Sequence, residues 1–422
     1  MKEPYVWDNY SDQPYPIKDK SYKKQMRREN LPSLLKTVGT ALLVLPLSLI
    51  ALPFVKRKHI NSQEFFCMGV DCQRNTKETL EMIEDLGVKR ILLRIKLWEL
   101  ETLDTLLKFI DHTQKSSQKK ITLKILQDRE HVEDLELLYK DLDTLFSALH
   151  DKIDMFEIGS TINRAKWGFF SVDEYLKFFT VAYKLKKEKF STIQLIGSGV
   201  IDFEYHFTSH TLFNLQKYRY DGVSALLYVD RRGAPENIQL GFNTSDKIAL
   251  LSSMVWICAK SKHKLHITET NWPISATAPY APTSEYECVS EEFYKDYMLR
   301  YHFLAFASQQ VDSLSWHQLI APGYGLVDNR DGITKRSAYK AYKVMLSYLQ
   351  EAKFLRLDIK RGHYLLQCMY RAQLLQIHWA MHQFSLQREE YFEVFDCYGA
   401  KISTKELQIG SSPLYITIKQ ED

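Results

Sequence analysis

His266-Ile267-Thr268-Glu269-Thr270-Asn271-Trp272-Pro273 begins as a short apolar run and passes at once into a carboxylate, an amide and an indole. The run 265–268 has strand length. Seven other runs resemble it, at 65–70, 90–95, 121–126, 155–158, 193–196, 223–228 and 313–316. All are short and mostly apolar, as strands covered on both faces are. Amphipathic patterns lie between them, at 100–112, 135–149, 172–187, 245–261, 291–309 and 335–349. The clearest is Asn75-Thr76-Lys77-Glu78-Thr79-Leu80-Glu81-Met82-Ile83-Glu84-Asp85-Leu86-Gly87. Asn75 or Thr76 can cap it, Leu80, Ile83 and Leu86 share a face, and Gly87 can end it.

Eight strands alternating with helices over roughly 290 residues predict an α/β chain built as a (β/α)8 barrel. An open doubly wound sheet is the alternative, but neither GxGxxG nor GxxxxGK[ST] follows the first strand. From about residue 355 the pattern changes to short β-like runs with turns at Lys360-Arg361-Gly362 and Gly410-Ser411-Ser412-Pro413. That predicts a small antiparallel β module. The expected division is a basic polar leader over 1–36, a membrane segment over 37–55, a barrel over 62–353 and a β module over 354–422.

Barrel chemistry sits at the C-terminal strand ends. The second strand offers Arg94 there. The fourth gives Phe156-Glu157-Ile158-Gly159-Ser160-Thr161-Ile162-Asn163-Arg164 and then Trp167-Gly168. Glu204 and His206 follow the fifth strand, and Tyr228 with Asp230-Arg231-Arg232 follows the sixth. The eighth ends in Trp316-His317, followed by Ala321-Pro322-Gly323-Tyr324-Gly325-Leu326-Val327-Asp328.

These stretches together resemble retaining glycoside hydrolases of the large (β/α)8-barrel clan, over roughly residues 65–420. Such enzymes carry an Asn-Glu pair after strand four, a Glu at the end of strand seven, and often a small appended β module. The resemblance implies a carbohydrate partner and no cofactor. It places Glu269 at the nucleophile position; a solvated loop carboxylate is the plainer alternative. In retaining enzymes one carboxylate attacks the anomeric carbon while a carboxylic acid ~5–5.5 Å away protonates the leaving oxygen. The acid position departs from the pattern, because Ser160-Thr161 stands where the family has Asn-Glu. A threonine hydroxyl cannot serve as an ordinary general acid near neutral pH, and losing that help costs ~10²–10⁴ in rate. Glu157, four residues earlier, matches a glutamate common within that strand and reads as structural.

The resemblance further implies that Arg94 supports the nucleophile's charge and that Tyr228 donates to it. Ser160, Asn163, Glu204 and His206 are candidate polar contacts, and Trp272 and Trp316 candidate flat faces for a sugar ring. A surface salt bridge for Arg94, a core position for Tyr228 and core positions for the tryptophans are the plainer readings. Two functions follow as expectations. One is a retaining O-glycoside hydrolase or transglycosidase with altered catalysis. The other is an inactive relative serving as a glycan-binding or assembly module.

Other chemistries find no support. HExxH, zinc-type Cys/His spacing and GxSxG are absent, so no metal site is expected. The six cysteines show no CxxC pair and no framework. Lys+Arg 56 against Asp+Glu 52 gives net +4. Residues 1–60 hold 11 Lys+Arg and 5 Asp+Glu, a net of +6, which leaves −2 on the rest. A nucleic-acid groove is therefore not indicated. The basic residues flank the uncharged run 37–55. Nineteen residues at ~1.5 Å each span roughly 28 Å, close to a bilayer core. A membrane anchor is expected, with a kinked monotopic segment as the alternative because Pro46 lies inside the run. A cleaved signal peptide is disfavoured: the run starts late and has no small-x-small site before Lys56. The flanking charge favours the N-terminus in the cytoplasm and the body on the other side.

Overall fold

The computed structural model describes residues 5–389 and 392–418; residues 1–4, 390–391 and 419–422, at the edges of or within the expected leader and module, lie outside that description. The eight runs form one closed parallel barrel. Its strands are β1 (Phe66–Gly69), β2 (Arg90–Lys96), β3 (Lys120–Leu126), β4 (Met155–Ile158), β5 (Gln194–Ile201), β6 (Gly222–Leu226), β7 (Leu265–Thr270) and β8 (Ser313–Trp316). Leu314 of β8 pairs with Phe66 of β1 and closes the ring. The face of the wall that packs on the helices is apolar, with Ile91, Leu93, Ile121, Leu123, Phe156 and Leu195 all fully buried, while the inner face carries polar side chains such as Thr122, Lys124 and Glu157.

The helices begin where short polar side chains can hold free backbone N–H groups. Ser171 accepts from the amide of Glu174, and Ser290 from that of Phe293. Asn243 and Asp246 form a reciprocal capping box. The helix between β5 and β6 is only Tyr205–Leu212, which leaves that flank thinly covered. The apolar segment covers it. It is helical from Leu31 to Ala51, six residues earlier than the sequence suggests, and continues as a tight turn over Leu52–Phe54. Ser33, Thr37, Ala41, Val44, Ser48 and Ala51 form one buried stripe. Thr37 Oγ1 lies 2.8 Å from His210 Nδ1, and Ser253 Oγ donates to Ser48 O at 2.6 Å. The opposite stripe is bare: Leu42 is 70% and Leu43 73% exposed, with Leu35, Leu47, Ile50 and Phe54 beside them.

The C-terminal part is a six-stranded antiparallel sheet in the spatial order 352–360, 363–370, 373–380, 414–418, 392–395, 401–402. It is held to the barrel by an apolar core shared with the helices, in which Phe303 packs on Trp379 at 5.5 Å and Tyr348 stacks on Tyr415 at 4.9 Å, and by buried polar contacts. Arg300 forms a two-pronged ion pair with Glu236, whose other contact is the Trp379 indole N–H at 2.8 Å.

Residues 5–18 do not trail away from the body. Trp7–Asp8 pairs with Gln13–Pro14 as a small antiparallel hairpin, and this hairpin lies across the barrel mouth. Trp7 packs edge-on to Trp167 at 5.6 Å and lies 5.4 Å from Trp98. Gln13 Nε2 donates to Pro282 O at 2.9 Å.

Candidate active site at the barrel mouth

Strand register sets three charged residues in one row. Arg94 of β2 pairs with Lys124 of β3, and Lys124 pairs with Glu157 of β4. Lys124 and Glu157 are fully buried. The Lys124 ammonium lies 3.0 Å from Glu269 Oε2 and 3.5 Å from Glu157 Oε2. Those two carboxylate oxygens can therefore be no further apart than the sum of the two contacts. Tyr228 donates to Glu269 Oε1 at 2.6 Å, and Thr268 Oγ1 donates to Glu157 Oε1 at 2.8 Å.

The two carboxyl groups are driven apart in acidity. Burial raises Glu157, and Lys124 and its hydrogen bonds offset that only in part, so its pKa stays above the ordinary value. Burial also opposes the charge on Glu269, but Lys124, His317, Tyr228 and Arg94 outweigh it and hold the group well below the usual carboxylate range. Burial takes His317 itself down to about 4. It is neutral near pH 7, so Lys124, with Arg94 as the weaker contributor, supplies the positive charge that keeps Glu269 ionised.

Arg94 is not in direct contact with Glu269. Its guanidinium is ion-paired with Asp12 of the N-terminal hairpin and lies 3.5 Å from Gln318 Oε1. Burial opposes the Asp12 charge, but Arg94 and more weakly His317 and Lys96 overcome it and keep that carboxyl ionised.

The turn after β4, where the sequence leads one to expect the acid, carries hydroxyls. Ser160 Oγ and Thr161 Oγ1 are 3.3 Å apart and buried. The Gln127 amide fixes this turn, donating to Ser160 O at 2.8 Å and accepting from Ser160 N at 2.9 Å. Thr161 sits at φ +53°, a left-handed conformation uncommon for a β-branched residue. The polar cluster beyond it is separate from Glu269. Asn163 Nδ2 donates to Glu204 Oε2 at 2.7 Å, and Arg164 reaches Glu204 at 2.8 Å and Asp202 at 2.7 Å. His206 packs between the rings of Tyr205 and Phe207, and burial lowers its pKa. Trp272 and Trp316 stack on each other at 5.9 Å, and both are fully buried. Their indole N–H groups donate to Gly233 O and Tyr294 Oη. Neither ring presents a free face. Arg232 lies over the Tyr228 ring at 4.1 Å.

Glu269, Tyr228 and Arg94 thus meet at one end of the barrel, while Asn163 and Glu204 form a neighbouring cluster. The sequence reading passed over two groups. Lys124 had a visible signal, a lone cation inside the apolar run 121–126. Asp12 had none, since its partner is 82 positions away. Among the described residues no three His, Cys, Asp or Glu side chains gather as a metal site would require.

By sequence, no protein-family model and no curated protein matches the chain. Solved structures do. A family 39 glycoside hydrolase from Bacteroides cellulosilyticus WH2 superposes with TM-score 0.66 at 13% identity, over 86% of this chain and 82% of that one. A GH30 endoxylanase from Clostridium papyrosolvens C71 gives 0.58 at 9%, over 87% and 98%. A GH39 β-xylosidase from Caulobacter crescentus gives 0.55 at 10%, over 86% and 98%. The chain therefore has the (β/α)8 fold, with its appended β module, that these glycoside hydrolases share.

Proposed function

We propose that this protein binds a carbohydrate at the mouth of a glycosidase-type barrel and does not run ordinary two-carboxyl glycoside hydrolysis. One observation carries the reading. The carboxylate at the nucleophile position is ionised and held on a buried lysine, while the group at the acid position is a threonine. Glu157 does not replace the acid. Its carboxyl is fully buried in the wall against Lys124 and Thr268 and is not presented at the mouth to a glycosidic oxygen.

A second reading has its own support. The short Tyr228 contact and the depressed pKa are what an attacking carboxylate needs. Glu269 could then accept a glycosyl group from a substrate whose leaving group departs without protonation. An activated fluorosugar panel with intact-mass detection separates the two. Glycan binding without an adduct on Glu269 supports the binding role, and an adduct supports glycosyl transfer. The Thr161→Glu variant is expected to gain measurable hydrolysis. If it gains none, and the wild type binds no glycan, the carbohydrate reading is wrong.

For the apolar helix we infer attachment to a membrane surface in the plane of the lipid. Both of its ends are tied to the barrel, by the hairpin before it and by Lys58 after it, whose ammonium pairs with Asp312 at 2.5 Å. A spanning helix would have to break one of these connections. The bare leucine stripe, with Lys23, Lys24, Arg27 and Arg28 on the preceding helix Lys20–Glu29, suits an anionic bilayer. On this reading the flanking charge does not assign a side of the membrane.

A further inference from the structure

The hairpin that covers the mouth has the chemistry of a ligand. It places aromatic rings on aromatic rings: Tyr5 packs on Trp98 at 5.1 Å, Trp7 lies against Trp98 and Trp167, and Tyr10 packs on Tyr280 at 5.6 Å. Beyond them it inserts one carboxylate, Asp12, onto Arg94. The loop is shaped for this. The Asp8 carboxylate accepts from the Tyr10 amide at 3.0 Å and the Ser11 hydroxyl at 2.6 Å, and Asp12 takes a left-handed φ of +55°.

We propose that the Arg94 pocket is a binding site for a saccharide that carries a carboxylate, and that Asp12 fills it when that ligand is absent. The inference rests on the carbohydrate reading above and narrows it to an acidic sugar.

Charge matching supplies the argument. Lys124 is satisfied by the barrel's own carboxylates, Glu269 and Glu157. Arg94 has one ion-pair partner among the described residues, Asp12, and its side chain is only 13% exposed. A neutral sugar that displaced the hairpin would leave a buried guanidinium unpaired, which is strongly unfavourable. A sugar carboxylate would replace Asp12 with the same two-oxygen acceptor that arginine recognises. Its ring faces could then use Trp98 and Trp167, from which Trp7 would have been displaced. Selection against neutral sugars would therefore come from the group left unpaired, which is how polar pockets reject analogues. The hairpin is suited to exchange. Its ladder is two residues long on each side, and short two-stranded hairpins are marginally stable on their own.

The test uses the full chain with hexuronic-acid oligosaccharides and the same compounds after reduction of the carboxyl to an alcohol. Calorimetry is expected to show the acidic form binding at least about tenfold tighter, a difference of about 1.4 kcal/mol. Hydrogen exchange at the amides of residues 7–13 is expected to accelerate when it binds. Asp12→Asn should raise affinity for both forms, since it weakens the competitor that either must displace, and the acidic form should remain the tighter binder. Trp7→Ala, which loosens the hairpin and keeps both charges, should do the same if the first variant folds poorly. Equal binding of acidic and reduced sugars, with the hairpin still protected, overturns this inference and leaves the carbohydrate reading standing. No binding of either form to any of the three proteins overturns both.

Discussion

Lys124 sets the character of the site. An ammonium without solvent exposure is tolerable only because two carboxyl groups meet it, at 3.0 and 3.5 Å. Removing one member of a buried ion pair typically costs about 3–5 kcal/mol, because the other is left charged and dry. Lys124→Met should therefore lower the stability of the chain by that order in urea denaturation, and Glu269 should rise towards or above the ordinary carboxylate range. A loss below about 1 kcal/mol would mean that the pair is solvated. Tyr228→Phe is expected to act on Glu269 alone, at about 1.5–3 kcal/mol for a hydrogen bond to a charged group. A double-mutant cycle of the two should show coupling, since both side chains end on the same carboxylate. The sequence made part of this legible. Strand ends are where barrel chemistry sits, and Glu269 and Tyr228 occupy two of them. It hid the rest because ion pairing of β3 with β4 and β7 depends on how the strands are set together, which no local pattern encodes, and because Asp12 arrives from outside the barrel.

The helix Leu31–Ala51 does two jobs with two stripes. Its small residues fit the thin flank over Tyr205–Leu212, and its leucines face outward. Leu42→Glu together with Leu43→Glu leaves the packed stripe untouched. It should change stability by no more than about 0.5 kcal/mol per site, as surface substitutions do, while removing flotation with anionic vesicles. Labelling then separates the geometries. A tag before residue 20 and a cysteine probe on the β module should lie on the same side of the vesicle membrane, and opposite sides would sink the in-plane reading. At this scale the sequence was a good guide. Apolar run length located all eight barrel strands, with β4 and β8 matching at both ends. It failed where a local signal was weak or misleading. Tyr205–Leu212 is too short to display a helical period. Strand β5 runs to Ile201, past Gly197 and Gly199, five residues beyond the apolar run 193–196. Those glycines are there for packing and backbone reasons. A Cβ on Gly197 would collide with the Tyr175 hydroxyl, and Gly199 sits at φ +64°.

At the scale of the whole molecule, buried histidines make stability depend on pH in both parts of the chain. Burial drives His266 on β7 down to about 3. It drives His302 in the helix Glu291–Ser308, and His317 after β8, to about 4. His378 in the appended sheet also falls to about 4, through burial and the nearby His363. The Nε2 atoms of His266 and His302 have no hydrogen-bond partner, so a proton there would be buried without compensation. An unfolded histidine protonates near ~6.5. Each of these groups therefore takes up its proton more readily in the unfolded chain, and its contribution to stability is complete above that pH. The contribution falls as pH drops from ~6.5 towards the folded values, by up to about 1.4 kcal/mol per pH unit for each histidine. Below ~4 the ionised Asp12 and Glu269 add their own loss, because their folded pKa values are depressed. Unfolding free energy should therefore drop steeply between pH 6.5 and 5. His302→Gln should flatten that slope by about one proton, whatever it does to stability at pH 7.5. The Arg300–Glu236–Trp379 contact ties the appended sheet to the barrel, so one cooperative transition is expected across this range. Glu236→Gln should lower the stability of the whole chain and keep the single transition, because the apolar core runs from the barrel helices into the sheet. A stability that stays level from pH 7 to 5 would show that these histidines are already protonated or solvated in the native chain.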